Sequence, residues 1–163
     1  LEQVKGPTSV AVLGVSMGGA AAINEATSDT RVTAVILDST HATLANALQA
    51  RLDRDGYPLG MPGAWSILLG GLLRTGEDMS SADPLQAVAR YGERPVLFVA
   101  AGSDRAIGPN DAAELLAAAQ EGGARTEMET CAAAGHTMSI TTCSAEYGGW
   151  LLGFLGRVLP HAS

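Results

Sequence analysis

Cysteine, aromatic side chains and positive charge are all scarce in this chain, and each scarcity removes a class of protein. Two cysteines, Cys131 and Cys143, cannot staple a disulfide-dense scaffold, and they form no C-x-x-C pair for zinc or dithiol chemistry. They are either two free thiols or one bridge across the loop that holds His136, and free thiols are the expectation. Aromatics make up 4% of residues, and 10 Lys plus Arg stand against 17 Asp plus Glu, so there is neither the basic footprint nor the stacking rings of a nucleic-acid surface. No apolar run has transmembrane length, and none is expected to enter a membrane. The longest, 64–73, is interrupted by Ser66 and Gly70-Gly71 and reads as a buried helix or a pocket wall. Leu1-Glu2-Gln3-Val4-Lys5 is not a charged segment leading into an apolar one, so no signal peptide is expected. The compartment stays open, with the cytoplasm slightly favoured.

What is present is a globular composition, 47% hydrophobic and 17% charged, in 163 residues, enough for one domain with one core. Apolar runs of strand length alternate with segments of helical period, the pattern of a mostly parallel sheet covered by helices, a three-layer α/β/α sandwich. Strands are expected at 9–15, 33–38 and 95–101. A fourth, at 125–130, alternates polar and apolar positions as a more exposed strand does. Helices are expected at 17–28, from Pro109-Asn110-Asp111 to Gln120, and at 146–159. Residues 41–94 carry no strand signal and hold helical pieces at 43–54, 65–74 and 84–91. They are expected to form a small helical cap over the strand ends within a single domain, 1–163, with Leu68, Leu69, Leu72 and Leu73 as pocket-shaping candidates. No internal repeat, low-complexity tract or linker is visible.

Gly14-Val15-Ser16-Met17-Gly18 joins the first strand to an alanine-rich helix and places a serine at the apex of the turn. Small residues two before and two after the serine let strand and helix pass close together, which is the requirement of a nucleophile elbow. The Met17 backbone N–H then lies at a helix N-terminus, where unpaired donors and the helix dipole favour a developing oxyanion.

Ligands of open α/β sheets bind beyond the carboxyl ends of the strands, so polar residues just after strands carry the most weight. Ser16 follows the first strand, Asp104 the third and His136 the fourth. A serine hydroxyl needs an adjacent base, and the base needs a carboxylate to fix its tautomer. Asp38 also ends a strand and competes with Asp104 for the role of acid. His41 is a candidate pocket residue, and His161 falls in the C-terminal tail.

These residues carry a resemblance. The chain resembles the C-terminal part of an α/β-hydrolase, near the esterase, serine-aminopeptidase-like and dienelactone-hydrolase-like branches. Gly14 to Gly19 is similar to the elbow and Val35-Ile36-Leu37-Asp38-Ser39 to the following strand. Ala82-Asp83-Pro84-Leu85 with Arg94-Pro95-Val96-Leu97-Phe98 is similar to the approach to the acid strand. Gly102-Ser103-Asp104-Arg105 resembles the acid turn, one residue shorter than its commonest form, and Gly135-His136 the histidine turn. The resemblance implies a serine hydrolase that cleaves small carboxylic esters through an acyl-serine intermediate, with Ser16 as nucleophile, His136 as base, Asp104 as acid, Met17 as oxyanion donor and no metal or organic cofactor. Two other readings stay open, a non-catalytic or incomplete hydrolase piece serving as an assembly module, and an acyltransferase using the same triad.

Only residues 1–8 precede the first strand, whereas the family's elbow is normally preceded by several strands, and no H-G-G or H-G motif is present to supply a second oxyanion donor. The strand at 9–15 is therefore expected to be an edge, covered by a second copy of the chain, by an N-terminal half or by a rearranged segment. Leu1-Glu2-Gln3-Val4 reads like the end of a helix.

Overall fold

The computed structural model describes residues 9–159, and the expectations for residues 1–8 and for His161 lie outside them. Four strands form one parallel sheet: β1 (Val10–Val15), β2 (Val32–Asp38), β3 (Pro95–Ala101) and β4 (Arg125–Cys131), side by side in chain order. Parallel neighbours need crossovers, and each crossover here contains helix. α1 (Met17–Ser28) joins β1 to β2. α2 (Leu44–Arg54), α3 (Gly60–Thr75), a short 3-10 turn at Met79–Ala82 and α4 (Pro84–Ala89) lie between β2 and β3. α5 (Asp111–Glu121) joins β3 to β4, and α6 (Ser139–Thr142) and α7 (Ser144–Val158) close the fold. The four strands read from the sequence agree with these to within one residue at each end.

The two-residue period of a strand explains why β2 and β3 are apolar at nearly every position. Val35 and Leu37 face one side, where they pack with Phe98, Ile23 and Ala26 of α1, Val88 of α4 and Leu115 of α5. Ala34 and Ile36 face the other, against Leu97, Val99 and Tyr147 and Phe154 of α7. The result is the three-layer sandwich, with α1, α4 and α5 on one face and α7 on the other. β1 hydrogen-bonds only to β2, so among the described residues it is an edge. Its Leu13 and Val15 share a face with Ala11, which packs beside the α7 core, yet they are 46% and 39% exposed.

The segment between β2 and β3 behaves in two ways. Asp83 Oδ1 accepts the Leu44 N–H at 2.7 Å and Thr43 caps Asn46 N, which anchors the start of α2 to the approach of α4. α4 packs on α1 and α5 as part of the layer over the sheet rather than as part of a cap. α3 packs on α2 and buries only Ala64 and Leu68. Trp65, Ile67, Leu69, Leu72 and Leu73 are exposed, which corrects the expectation of a buried helix or pocket wall. The physical reason is that residues 56–73 carry no charge, so α3 up to Leu73 has apolar residues on every side, while α2 and the 3-10 turn beside it cover only part of its surface. Among the described residues no helix is long and apolar enough to cross a membrane.

Candidate active site

Ser16 stands between the last residue of β1 and the first of α1 with φ 53° and ψ −120°, a conformation that costs a non-glycine residue of order 1–3 kcal/mol and persists where its surroundings over-determine it. Here the Ser16 N–H donates to Asp38 O at 2.8 Å and Ser16 O accepts from Gly19 N at 2.9 Å. The glycines around it divide unevenly. A Cβ on Gly14 would overlap the carbonyl of Gly18, and a Cβ on Gly19 would overlap the Thr40 side chain at the end of β2, while a Cβ on Gly18 would meet open space. Of the two small residues the pentapeptide requires, Gly14 is therefore held by a close approach, and its helical counterpart is Gly19 rather than Gly18.

Ser16 is the N-cap of α1, yet its hydroxyl makes no capping bond. It lies 2.8 Å from His136 Nε2 instead. On the far side of the ring, His136 Nδ1 is 2.8 Å from Asp104 Oδ2. A carboxylate only accepts, so Nδ1 carries the proton and Nε2 is left to accept from the serine hydroxyl. The second Asp104 oxygen accepts the Ala106 N–H at 2.8 Å, and the Asp104 side chain is 6% exposed against 28% for His136. Met17 opens α1, where the first N–H groups have no intrahelical acceptor.

Asp38, the competing acid, is turned into the core. Its Oδ1 accepts from Ser39 Oγ and its Oδ2 from Tyr147 Oη, both at 2.9 Å. Burial and the bond to Asp38 push the Tyr147 phenol well above its ordinary value, so it remains a donor. His41 is buried, and burial holds its imidazole below 6.5 against the opposing charges of Asp111 and Asp83. Burial likewise raises the Asp83 carboxyl. His41 does not line the cavity of about 230 Å³ beneath the acid turn, which is bounded by Ser39, Thr40, Phe98, Asp104, Ile107 and Leu115 among others. Ser16 and His136 also lie outside that lining. Leu68, Leu69, Leu72 and Leu73 do not contribute to it. Among the described residues no cluster of His, Cys, Asp or Glu is placed to hold a metal ion.

The cysteines correct the expectation of free thiols. Cys131, the last residue of β4, is disulfide-bonded to Cys143, the residue before α7, with Cα atoms 6.1 Å apart. The chain between them turns back after His136 and brings the start of α7 to the end of β4, a proximity that spacing alone does not reveal. Sequence reasoning also missed Ser39, Thr137 and Tyr147. Ser39 carried one available signal, its position directly beyond a buried strand.

No family model matches the chain, and no curated protein matches it either. Solved structures do. Acylaminoacyl peptidase from Pyrococcus horikoshii superposes with a TM-score of 0.74 at 12% identity, over 97% of this chain and 25% of that one. An esterase from Pyrococcus furiosus gives 0.70 at 16% identity, over 92% and 54%. The esterase domain of a Rhodothermus marinus protein gives 0.62 at 22% identity, over 90% and 59%. The chain thus spans between a quarter and three fifths of the length of these structures, and at such identities the likeness is one of fold.

Proposed function

We propose that this chain, which carries the α/β-hydrolase fold from β1 onward, is a serine hydrolase of carboxylic esters. The observation that carries the reading is the unbroken hydrogen-bonded line from Ser16 Oγ through His136 to Asp104, 2.8 Å at each step, drawn from three different strand ends. Ser16 Oγ attacks the acyl carbon while His136 Nε2 takes its proton and then passes it to the departing alcohol. Asp104 holds the Nδ1 proton, orients the ring and stabilises the imidazolium. The Met17 N–H donates to the oxyanion. Water, deprotonated by His136, frees the acyl group and restores Ser16. Esters suit a site with one recognised oxyanion donor better than amides, because an alcohol leaves more readily than an amine. No cofactor enters any step.

The test is labelling with a fluorophosphonate probe and location of the adduct by mass spectrometry. Wild type is expected to carry it on Ser16, Ser16→Ala to carry none, and His136→Ala to react far more slowly. Folded wild type that stays unlabelled, or an adduct that survives Ser16→Ala, overturns the reading. The exposed edge of β1 favours a second one, an assembly module that needs another chain or segment beside Leu13 and Val15. Unlabelled, folded wild type is its expected result.

A further inference from the structure

We propose that Ser39 is a positioning residue for His136, the keystone of a hydrogen-bonded brace that fixes the histidine loop over the end of β2. The proposal rests on the reading of His136 as the base of Ser16. The need for a brace follows from the sheet order. Strands lie about 4.8 Å apart, so the end of β4 is roughly 14 Å from the end of β1. His136 follows β4 at one edge and its partner Ser16 follows β1 at the other. The loop must therefore arch back across the ends of β3 and β2.

It is held at both crossings. Past β3, the Ser103 N–H donates to Ala134 O at 2.9 Å. Past β2, the Thr137 N–H donates to Ser39 Oγ at 3.2 Å, on the residue directly after the histidine. Ser39 is itself fixed on every side. It is 2% exposed, its N–H donates to Val99 O at 3.0 Å, and its hydroxyl proton goes to Asp38 Oδ1, which leaves the hydroxyl lone pairs for Thr137. Tyr147 Oη donates to the other oxygen of Asp38 and ties the brace to α7. Bonds to a carboxylate are the stronger kind, and each polarises the next.

Backbone conformation points the same way. Among the described residues three non-glycine residues have positive φ: Ser16, Ser39 and Thr137, at 53°, 51° and 61°. All three belong to this assembly, and strained conformations persist where the surrounding structure over-determines them. Ser39 touches no reacting atom, so its influence on chemistry passes through the loop.

The experiment compares wild type, Ser39→Ala, Ser39→Gly and Tyr147→Phe in turnover of p-nitrophenyl butyrate and in amide exchange at Thr137. Ser39→Ala is expected to lower kcat about tenfold to a hundredfold, the loss that follows an ångström-scale misplacement of a catalytic group, with KM within about twofold. Thr137 amide exchange should accelerate at least about tenfold in the same variant. Ser39→Gly, which relieves the backbone at φ 51° but still lacks the hydroxyl, is expected to lose kcat as well. Tyr147→Phe, remote from the serine, should move both readouts in the same direction by less. Unchanged kcat in folded Ser39→Ala or Ser39→Gly overturns the proposal, as does unaltered exchange at Thr137. If wild type itself neither labels nor turns over ester, the proposed function fails, and the Thr137 exchange still decides whether the brace exists.

Discussion

Replacing Cys131 and Cys143 together by alanine opens the covalent ring that encloses the histidine loop, with a magnitude that follows from the size of the ring. The two residues are 12 apart in sequence. In the chain-entropy treatment, closing a ring of that length restricts the unfolded ensemble by about 3 kcal/mol at 25 °C. For a chain of this size 1 kcal/mol corresponds to roughly 2–4 °C in melting temperature, so the double variant should melt about 6–12 °C below the oxidised protein. Alanine is preferred to serine because Cys131 is fully buried, where a hydroxyl would need a partner. Thermal unfolding followed by circular dichroism measures the effect on oxidised wild type, on wild type with a phosphine reductant and on the double variant, and the last two should nearly coincide. Coincident melting of the variant and the oxidised protein would refute the reasoning. So would two titratable thiols per chain in denatured, unreduced protein, because the bond would then not be there to contribute.

Three further outcomes are expected. Gly14→Ala and Gly19→Ala should each destabilise strongly, through overlap with the Gly18 carbonyl and the Thr40 side chain. Gly18→Ala should be neutral or gain up to about 1 kcal/mol from helix propensity, and an equal loss at all three positions in thermal melts would count against these contacts. Asp104→Asn should cut ester turnover by about four orders of magnitude, because an amide can present its N–H to Nδ1 and impose the wrong tautomer; near-normal kcat in that variant would remove Asp104 from the mechanism. Burial holds His41 below 6.5, so the unfolded chain takes up a proton there that the folded one refuses, and stability should fall as the pH drops through about 6.5 towards the lower folded value. Asp83, raised by burial, acts with the opposite sign at lower pH, so the comparison is with His41→Asn, whose denaturant midpoint should vary less with pH across this window; identical slopes would sink the assignment.

The strands and the three strand-end residues were legible for a common reason. β2 and β3 are buried on both faces, so burial alone writes a continuous apolar run, and Ser16, Asp104 and His136 each follow such a run or its alternating edge counterpart. What escaped reading depends on pairs that only the folded chain brings together. Gly19 matters because of Thr40, which the pentapeptide around Ser16 cannot register. The Cys131–Cys143 bond depends on the loop turning back. Ser39 is an ordinary polar residue until Thr137 is laid over it. α3 failed for the opposite reason, since an apolar helix reads as buried whatever its neighbours can cover.

The order of the sheet has one more consequence. Among the described residues Ser16 and His136 follow the two outermost strands, and their 2.8 Å contact depends on the full width of the sheet lying between them in register. If Ser16 is the nucleophile proposed above, reactivity at one oxygen atom should therefore report the integrity of the entire β-layer. A slip, a frayed edge or a loosened crossover anywhere in it should silence Ser16 while secondary structure still looks intact by spectroscopy. On the proposed role of Ser16, its rate of acylation would be a gauge of native structure that is more local in its signal, and more global in what it senses, than a melting curve.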